Sequence, residues 1–420
     1  MESQGAPAAG LCNIPAVDHS SPERSAPRAK IPATVLALGL VSLFMDLSSE
    51  IVHALLPLFL TTTLGASVAF VGLIDGVAEA TASISKIFSG YISDRIGRRK
   101  PLILLGYGLG ALSKPIFAVA GSASAVLLAR FADRIGKGVR GAPRDALVAD
   151  VTPAAIRGRA FGLRQSLDTI GAFLGPLLAI GLMVAFANDI RAVFWIAIIP
   201  GAVAVLLVVF GVKDHQTPDE RGVAPVPVRM NDLRRLDRNF WHVVMIGVAF
   251  TLARFSEAFL ILKASAEGLP LALAPLVLVV MNIVYALGAY PAGALSDRIA
   301  AKHILLLGLA CLIGADLTLA FTHGIIGAFA GIALWGAHMA ITQGLMAKLV
   351  ADHAPVEVRG SAYGIFNLAG GCALLVASVL AGLLWDRWGP NATFMVGAIF
   401  AGLAFLLLAL RDGKARRKRG

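Results

Sequence analysis

Charged residues are scarce in this sequence, and their scarcity sets its class. Only 15% of the 420 residues are Asp, Glu, Lys or Arg, whereas 57% are hydrophobic, and the mean hydropathy is +0.77. A soluble domain cannot bury so large an apolar fraction, and the apolar residues form runs of about 20, the length that crosses a bilayer core. Since lipid offers no hydrogen bonds to the backbone, these runs are predicted to be helices. The sequence therefore predicts an all-α membrane protein.

Cysteine is also scarce, and no cofactor motif is present. The three cysteines, Cys12, Cys311 and Cys372, show neither the spacing of a metal site nor a disulfide framework. The glycines at 106–110 do not follow a predicted strand, and Gly-Lys-Gly at 136–138 lacks the Ser or Thr of a phosphate-binding loop. No hydrolase constellation is found. We therefore expect no cofactor, no enzymatic activity and no ATP hydrolysis, so that an ion gradient must supply the energy.

The apolar runs number twelve. They are predicted at 33–62, 68–91, 101–120, 124–147, 159–187, 191–212, 240–264, 270–292, 303–321, 325–349, 360–384 and 391–411. Lys and Arg are concentrated in the loops of one face and near both termini, which by the positive-inside rule places both termini in the cytoplasm. The net charge of +11 is therefore a topology signal, with a basic tail that can touch anionic lipid, and it does not indicate a nucleic-acid partner.

The sequence repeats itself across its middle. Segment 147–153 recurs as 349–355, and segment 157–162 recurs as 359–364. Duplicated halves hold a substrate site between them near the bilayer midplane, and rocking exposes that site to each side in turn. The predicted organisation is a disordered cytoplasmic tail at 1–32, a six-helix half at 33–212, a cytoplasmic linker at 213–238, a second six-helix half at 239–411 and a basic cytoplasmic tail at 412–420.

A strongly cationic turn follows the second span, and a weaker copy follows the eighth. The turn runs through 90–100 and the copy through 293–302. We interpret the turn as a structural gate that holds the cytoplasmic side closed, rather than as a substrate site. Its predicted members are Gly90, Asp94, Arg95, Gly97, Arg98 and Arg99.

These features together resemble one family. The turn at 90–100 is similar to the loop signature of the major facilitator superfamily, and Arg130, Gly136 and Gly138 resemble the arginine motif of its fourth span. Segment 171–176 resembles the signature of the proton-coupled efflux antiporters in that superfamily. The resemblance implies the twelve-helix major facilitator fold and a secondary transporter of the inner (plasma) membrane that works as a monomer.

Ionisable side chains inside the spans are the candidate site. Asp46, Glu50 and His53 on span 1 are spaced i, i+4 and i+7, so on a helix they fall within about 60° on one face. Facing lipid, three such groups would cost on the order of 7–10 kcal/mol. They are therefore expected to face a cavity or polar partners. Two carboxylates and an imidazole on one stripe are also a suitable set of O and N ligands for a divalent transition metal.

Other spans carry further charges. Span 2 adds Asp75 and Glu79, again at i and i+4. The remaining candidates for substrate or proton binding are Arg130, Arg134 and Lys137 on span 4 and Asp168 on span 5. Intramembrane ionisable groups are functional by default. The alternative is structural, with the span-1 acids neutralising the span-4 cations in an internal network of salt bridges.

A finer resemblance concerns the substrate. Segment 45–53, and segment 133–145 with 162–169, are similar to the nickel-resistance branch of bacterial efflux permeases. This implies proton-coupled efflux of a divalent metal such as Ni²⁺ or Co²⁺, which the span-1 stripe would bind until protons displace it. The alternative is proton-coupled efflux of a drug-like compound or metabolite anion, with the span-4 cations as its contacts. A non-transporting membrane receptor is disfavoured, since no sizeable soluble domain is found.

Overall fold

A computed structural model describes residues 30–96, 98–153, 156–214, 236–296, 298–354 and 359–417. Most of the predicted N-terminal tail and of the predicted linker lies outside these ranges. Throughout the described ranges the regular structure is helical, and no strand is found. The helices are α1 Ala33–Leu58, α2 Val68–Ile96, α3 Lys100–Val119, α4 Ala123–Val151, α5 Arg157–Ala185, α6 Ile190–Gly211, α7a Arg238–Ala253, α7b Ala258–Ala266, α8 Leu276–Ser296, α9 Ala301–Phe321, α10 Gly324–His353, α11 Arg359–Trp388 and α12 Pro390–Arg417.

The twelve-span all-α fold predicted from the sequence is confirmed. Counting α7a with α7b, eleven of the twelve described helical spans are long and apolar enough to cross a membrane. The exception is α4, which is long enough but carries too many charges. Its charges Arg130, Asp133, Arg134 and Arg140 are nevertheless buried inside the protein. Because a polar helix cannot face lipid, α4 depends on its neighbours to cover it.

The seventh span is not the continuous helix that the pattern at 240–264 predicts. It ends at Ala253 and restarts at Ala258, and Arg254 and Ser256 between them are not helical. The Ser256 N–H donates instead to Ser378 Oγ of α11 at 3.1 Å, and Ser256 Oγ accepts from the Ala258 N–H at 3.1 Å. These bonds replace those that a continuous helix would make, so the break is stabilised by the packing of α11.

The helices form two halves, α1–α6 and α7a–α12, that meet chiefly through α2 and α11. The two helices approach closely because glycines lie at the contact. A Cβ at Gly72 would collide with the Ser378 carbonyl, and one at Gly382 would collide with the backbone of Ala69. Small residues of this kind let helix backbones approach each other within a membrane.

The apolar packing differs between the two faces of the bundle. We call the face at which α1 begins and α12 ends the terminal face, and the opposite one the far face. A single apolar cluster joins both halves at the far face and includes Phe59, which directly follows α1, and Phe259 of α7b. Toward the terminal face each half has a separate cluster, around Tyr107 in the first half and around Phe240 in the second. The continuous apolar core therefore joins the halves at the far face, while α2 and α11 also contact each other nearer the terminal face, where Gly364 lies against Ile87.

A polar contact between the halves also lies at the far face. The carboxylate of Asp386, near the end of α11, accepts hydrogen bonds from the Val68 and Ala69 N–H groups at 2.9 Å each. It thus caps the N-terminus of α2, where the helix dipole favours a negative charge.

Candidate functional site

A polar cavity lies between the two halves at the break in α7. Its volume is about 200 Å³. It is lined by His53 of α1, Asp75 and Glu79 of α2, Arg130 of α4, Arg254, Phe255, Ser256 and Glu257 of the α7 break and Leu374 of α11. Because both halves contribute charged side chains, the cavity has the position and chemistry expected of a transporter's substrate site.

On the side of the first half, the acids of α2 pair with the cations of α4. Arg130 Nη2 lies 3.7 Å from Asp75 Oδ1, and Arg134 Nη1 lies 3.4 Å from Glu79 Oε1. The two acids are four residues apart on α2, and the two arginines are four residues apart on α4. Each acid therefore faces one arginine. The structure therefore contains an internal salt-bridge network, but its main acids come from α2, whereas the sequence predicted those of α1.

Behind these pairs lies a carboxylate that the sequence reasoning did not include in the site. Asp133 Oδ1 accepts from the ammonium of Lys114 on α3 at 2.8 Å, and Asp133 Oδ2 lies 3.9 Å from both Arg130 and Arg134. Lys114 also donates to Ser49 Oγ of α1 at 3.1 Å. Three cations therefore lie around this one acid, and together with Asp75 and Glu79 the network holds three acids and three cations. Such pairing is what makes charges tolerable in the low dielectric of the interior. The spacing of Lys114 along the sequence gave no sign of its partner.

The network crosses to the second half at the α7 break. Ser256 Oγ donates to Asp75 Oδ2 at 2.6 Å, while Asp75 also lies near Arg130. Asp75 is therefore shared between α4 and α7. A movement of the break must alter the position of this hydroxyl and with it the balance of charges around Arg130.

The second half adds two charges that are not paired. Arg254 and Glu257 both line the cavity and are half-buried. In the part of the chain that the structure describes, neither side chain forms an ion pair or a hydrogen bond. The cavity therefore offers a free guanidinium and a free carboxylate, together with the ring of Phe255. Arg254 and Glu257 were not among the predicted site residues. The sequence feature that could have identified them is the presence of two charges within an apolar span.

The three members of the predicted span-1 stripe separate in the structure. His53 Nδ1 lies 3.3 Å from Glu50 Oε2, so these two residues pair with each other, and His53 lines the cavity. Asp46 lies instead close to Asp168 of α5, with Lys137 and Arg140 nearby. The carboxylate of Asp168 is also 3.7 Å from Arg144 and 3.8 Å from Arg164.

Asp46, Glu50 and His53, the predicted metal ligands, are therefore not gathered into one cluster in the structure, and the metal site stays a prediction. Among the described residues, no three His, Cys, Asp or Glu side chains are arranged to hold a metal ion. The physical reason is competition, because neighbouring helices provide a partner for Asp46 and the intrahelical pair occupies Glu50 and His53. Lys137, also predicted for the site, is exposed and makes no ion pair within the described ranges.

The predicted gate at 90–99 is described only in part, and its first part is not a turn, because α2 continues to Ile96. Gly90, Asp94 and Arg95 therefore lie in α2, the side chains of Asp94 and Arg95 and the whole of Gly97 lie outside what is described, and Arg98 is exposed. Arg99 is buried, and its guanidinium donates to Ser93 Oγ at 2.7 Å and to Asp150 Oδ2 at 3.4 Å. These contacts fix the turn to the end of α4 within the first half. The gating role stays a prediction.

A membrane bundle of two six-helix halves around a polar cavity defines a secondary transporter. The chain belongs to the Major Facilitator Superfamily, whose family model matches residues 38–281 and 264–420. It is 29% identical over 387 residues to the uncharacterized MFS-type transporter MJ1317 of Methanocaldococcus jannaschii. The matched region covers 90% of this chain and 95% of that protein. It is also 28% identical to the multidrug resistance protein MdtH of Proteus mirabilis, over 45% of this chain and 48% of that protein.

Solved structures show the same fold. The crystal structure of the nucleoside transporter NupG superposes with a TM-score of 0.74 at 14% identity and covers 89% of this chain and 97% of that one. At this identity the likeness is one of fold alone. The protein is thus a non-enzymatic membrane transporter of the superfamily. The named relatives do not support the predicted nickel-resistance branch.

Proposed function

We propose that this transporter exports a small organic solute with charged groups in exchange for protons, by alternating access. The observation that carries the proposal is the cavity at the α7 break, where Arg254 and Glu257 are free while the acids of α2 are already paired. A free guanidinium can bind a carboxylate or phosphate group through two hydrogen bonds. Glu257 offers a site for a cationic or hydrogen-donating group on the same molecule. Phe255 and Leu374 supply apolar contact.

This proposal keeps the organic alternative from the sequence reasoning and changes its contacts. The cations Arg130 and Arg134 are engaged by Asp75, Glu79 and Asp133, so Arg254 replaces them as the contact of an anionic group. Efflux of a divalent metal is the weaker hypothesis, because its ligand set is not assembled. The partial relative named for multidrug resistance agrees with an organic solute.

Protons are proposed to act through Asp46 and Asp168. Two carboxylates close together on facing helices repel each other when both are ionised, and one shared proton relieves that repulsion. Lys137 and Arg140 lie near Asp46, so the site also has cations that respond to the loss of the proton. Proton binding at this pair is expected to alter the α1–α5 contact and, through it, the packing of the first half.

The direction of transport follows from the predicted topology. With both termini in the cytoplasm of a cell whose inner membrane holds the protein, the terminal face is cytoplasmic. The cavity would then load from the cytosol while the apolar cluster and Asp386 hold the far face closed. Release to the outside would require that cluster to part and the terminal face to close.

The first experiment is transport in everted membrane vesicles with an imposed pH gradient. A panel of amphoteric and anionic organic compounds, with Ni²⁺ and Co²⁺ beside them, is tested for dissipation of the gradient. We expect a response to an organic compound that is lost in Arg254→Gln and Glu257→Gln. Arg238→Gln is the matched control, because Arg238 is exposed at the start of α7a on the terminal face and does not line the cavity.

Two results would count against the proposal. A response to Ni²⁺ or Co²⁺ that disappears in Glu50→Gln and His53→Ala would restore the metal hypothesis. A response to an organic compound that is unaffected by both Arg254→Gln and Glu257→Gln would place the substrate elsewhere in the bundle.

A further inference from the structure

The internal repeat relates a buried acid of the second half to a buried lysine of the first half. The proposed mechanism does not use this acid. Asp316 on α9 lies 202 residues after Lys114 on α3, and Trp335 on α10 lies 202 residues after Asp133 on α4. The same separation relates Arg157 to Arg359 in the repeated segments. The positions that form the Lys114–Asp133 ion pair in the first half are therefore an acid and an indole in the second.

Both members of this second pair are buried and lack a partner. Asp316 and Trp335 are each 0% exposed. Within the described residues, neither carboxyl oxygen of Asp316 has a hydrogen-bond partner, and neither does Nε1 of Trp335. A buried acceptor and a buried donor that are both unsatisfied carry a large penalty, so each needs a conformation or a protonation state that satisfies it.

The groups packed around Asp316 are almost entirely apolar. Gly397 of α12 lies against it, since a Cβ there would be 2.8 Å from Asp316 Oδ2 and 3.1 Å from the ring of Phe255. From α10, His338 is bonded to the Gly308 carbonyl at 2.8 Å and stacked on Phe250. From the α7 break, the charged Arg254 and Glu257 line the central cavity instead. In this arrangement an ionised Asp316 would have no countercharge among the described residues.

Phe255 connects the surroundings of Asp316 with the central cavity. Its ring lines the central cavity and also a smaller cavity of about 30 Å³ that Gly397 and Thr393 share. The ring of Phe255 also lies 5.3 Å from that of Trp335. A shift of the α7 break would therefore change the exposure of Asp316 and the surroundings of the indole together.

We infer that Asp316 is a second proton-binding site, located in the second half and controlled by the α7 break. In the conformation described here its carboxyl group is neutral. When the break moves, the proton passes to water in the polar central cavity on the other side of Phe255, and the indole N–H of Trp335 donates to the carboxylate that remains. The role of this step in transport rests on the proposed function, whereas the change of protonation does not.

The test measures protonation directly and needs no substrate. Infrared spectra of the purified full-length protein in lipid nanodiscs are recorded across a pH titration, and the C=O stretch of protonated carboxylic acids is followed. We expect a component that is lost as the pH rises and that is missing at every pH from Asp316→Asn. Asp189→Asn is the control, because this exposed acid only caps α6.

The indole provides an independent variant. Trp335→Phe removes the donor to the carboxylate and keeps an aromatic ring, so the titration should shift to higher pH. Trp195→Phe, which replaces a half-exposed tryptophan of α6, should leave it unchanged. A band that depends on Asp316 but does not change with pH would overturn the inference, since the acid would then be permanently neutral. If Asp316→Asn does not fold, an unshifted titration in Trp335→Phe overturns it.

Discussion

The two halves share one helix arrangement but hold their interior charges in opposite ways. In the first half, Lys114, Arg130 and Arg134 surround Asp133, and each cation is within 3.9 Å of that acid. In the second half the corresponding volume is aromatic. Phe255 packs against Phe259, Trp335 and Phe394 with ring centroids 5.2 to 5.4 Å apart. The second half also retains isolated polar groups, namely Asp316, Arg254 and Glu257.

This difference suggests a division of labour between the halves. A buried ion network is rigid, because removing any member leaves an uncompensated charge. An aromatic cluster around a broken helix has no such constraint and can repack at lower cost. We therefore expect the first half to act as the scaffold of the cavity and the α7 break to be the part that moves.

The largest effect is expected at the centre of the ion network. Asp133→Asn leaves three buried cations without their shared acid and should lower stability by about 3–5 kcal/mol. Asp316→Asn changes the buried acid of α9, in the part of the second half that corresponds to α3 and α4. This variant removes no ion pair among the described residues and should change stability little. Thermal unfolding of the purified proteins in detergent measures both. Equal losses in the two variants would show that the halves do not differ in this way.

The next effect concerns the bond that joins the network to the moving part. Ser256→Ala removes the donor to Asp75 Oδ2, and it also removes the acceptor for the Ala258 N–H. Leaving a buried carboxylate oxygen unsatisfied should cost about 1–3 kcal/mol. Ser166→Ala, at an exposed serine of α5, is the control. A Ser256→Ala protein as stable as this control would mean that the α7 break does not depend on Asp75.

The contrast also explains which features could be predicted from the sequence. The apolar runs and the repeat located the helices to within a few residues, because lipid imposes a single length and a single backbone solution. The charges of α1, α2 and α4 were recognised as interior groups for the same reason. Their partners were not, since Asp46 faces α5 and Lys114 faces Asp133 only through tertiary packing. The α7 break was missed because its stabilising bonds come from α11 and α2.

A smaller effect is expected at the far face, where the halves are joined. Asp386→Ala removes the cap of α2 that α11 provides, which should cost about 1 kcal/mol. Because this bond crosses between the halves, its loss should favour separation of the far face. Spin labels at positions 62 and 388 would report a broader or longer distance distribution by pulsed electron paramagnetic resonance. An unchanged distribution would mean that the apolar cluster alone keeps this face closed.

The smallest effect is expected at an ion pair of the second half, which lies at the far face at the end of α7b. Lys263 donates to Glu267 Oε1 at 2.6 Å and the Gly324 N–H donates to Oε2 at 2.6 Å. The hydrogen bond from Lys263, followed by that from Gly324, holds the pKa of Glu267 below its ordinary value of 4.5. A carboxyl group whose pKa is lowered by folding stabilises the fold above its unfolded pKa, and that contribution is lost as the pH falls through the folded value.

Glu267→Gln should therefore be less stable than the parent at neutral pH, and the difference should shrink as the pH falls below about 4.5. Melting temperatures measured across an acid titration give this difference directly. Asp352→Asn is the matched control, because Asp352 is exposed at the terminal face. If the difference between parent and Glu267→Gln is the same at every pH, the pair does not stabilise the fold through its charge. This ion pair would then add nothing to the stability of the second half, and the difference between the halves in how they hold their charges would be larger.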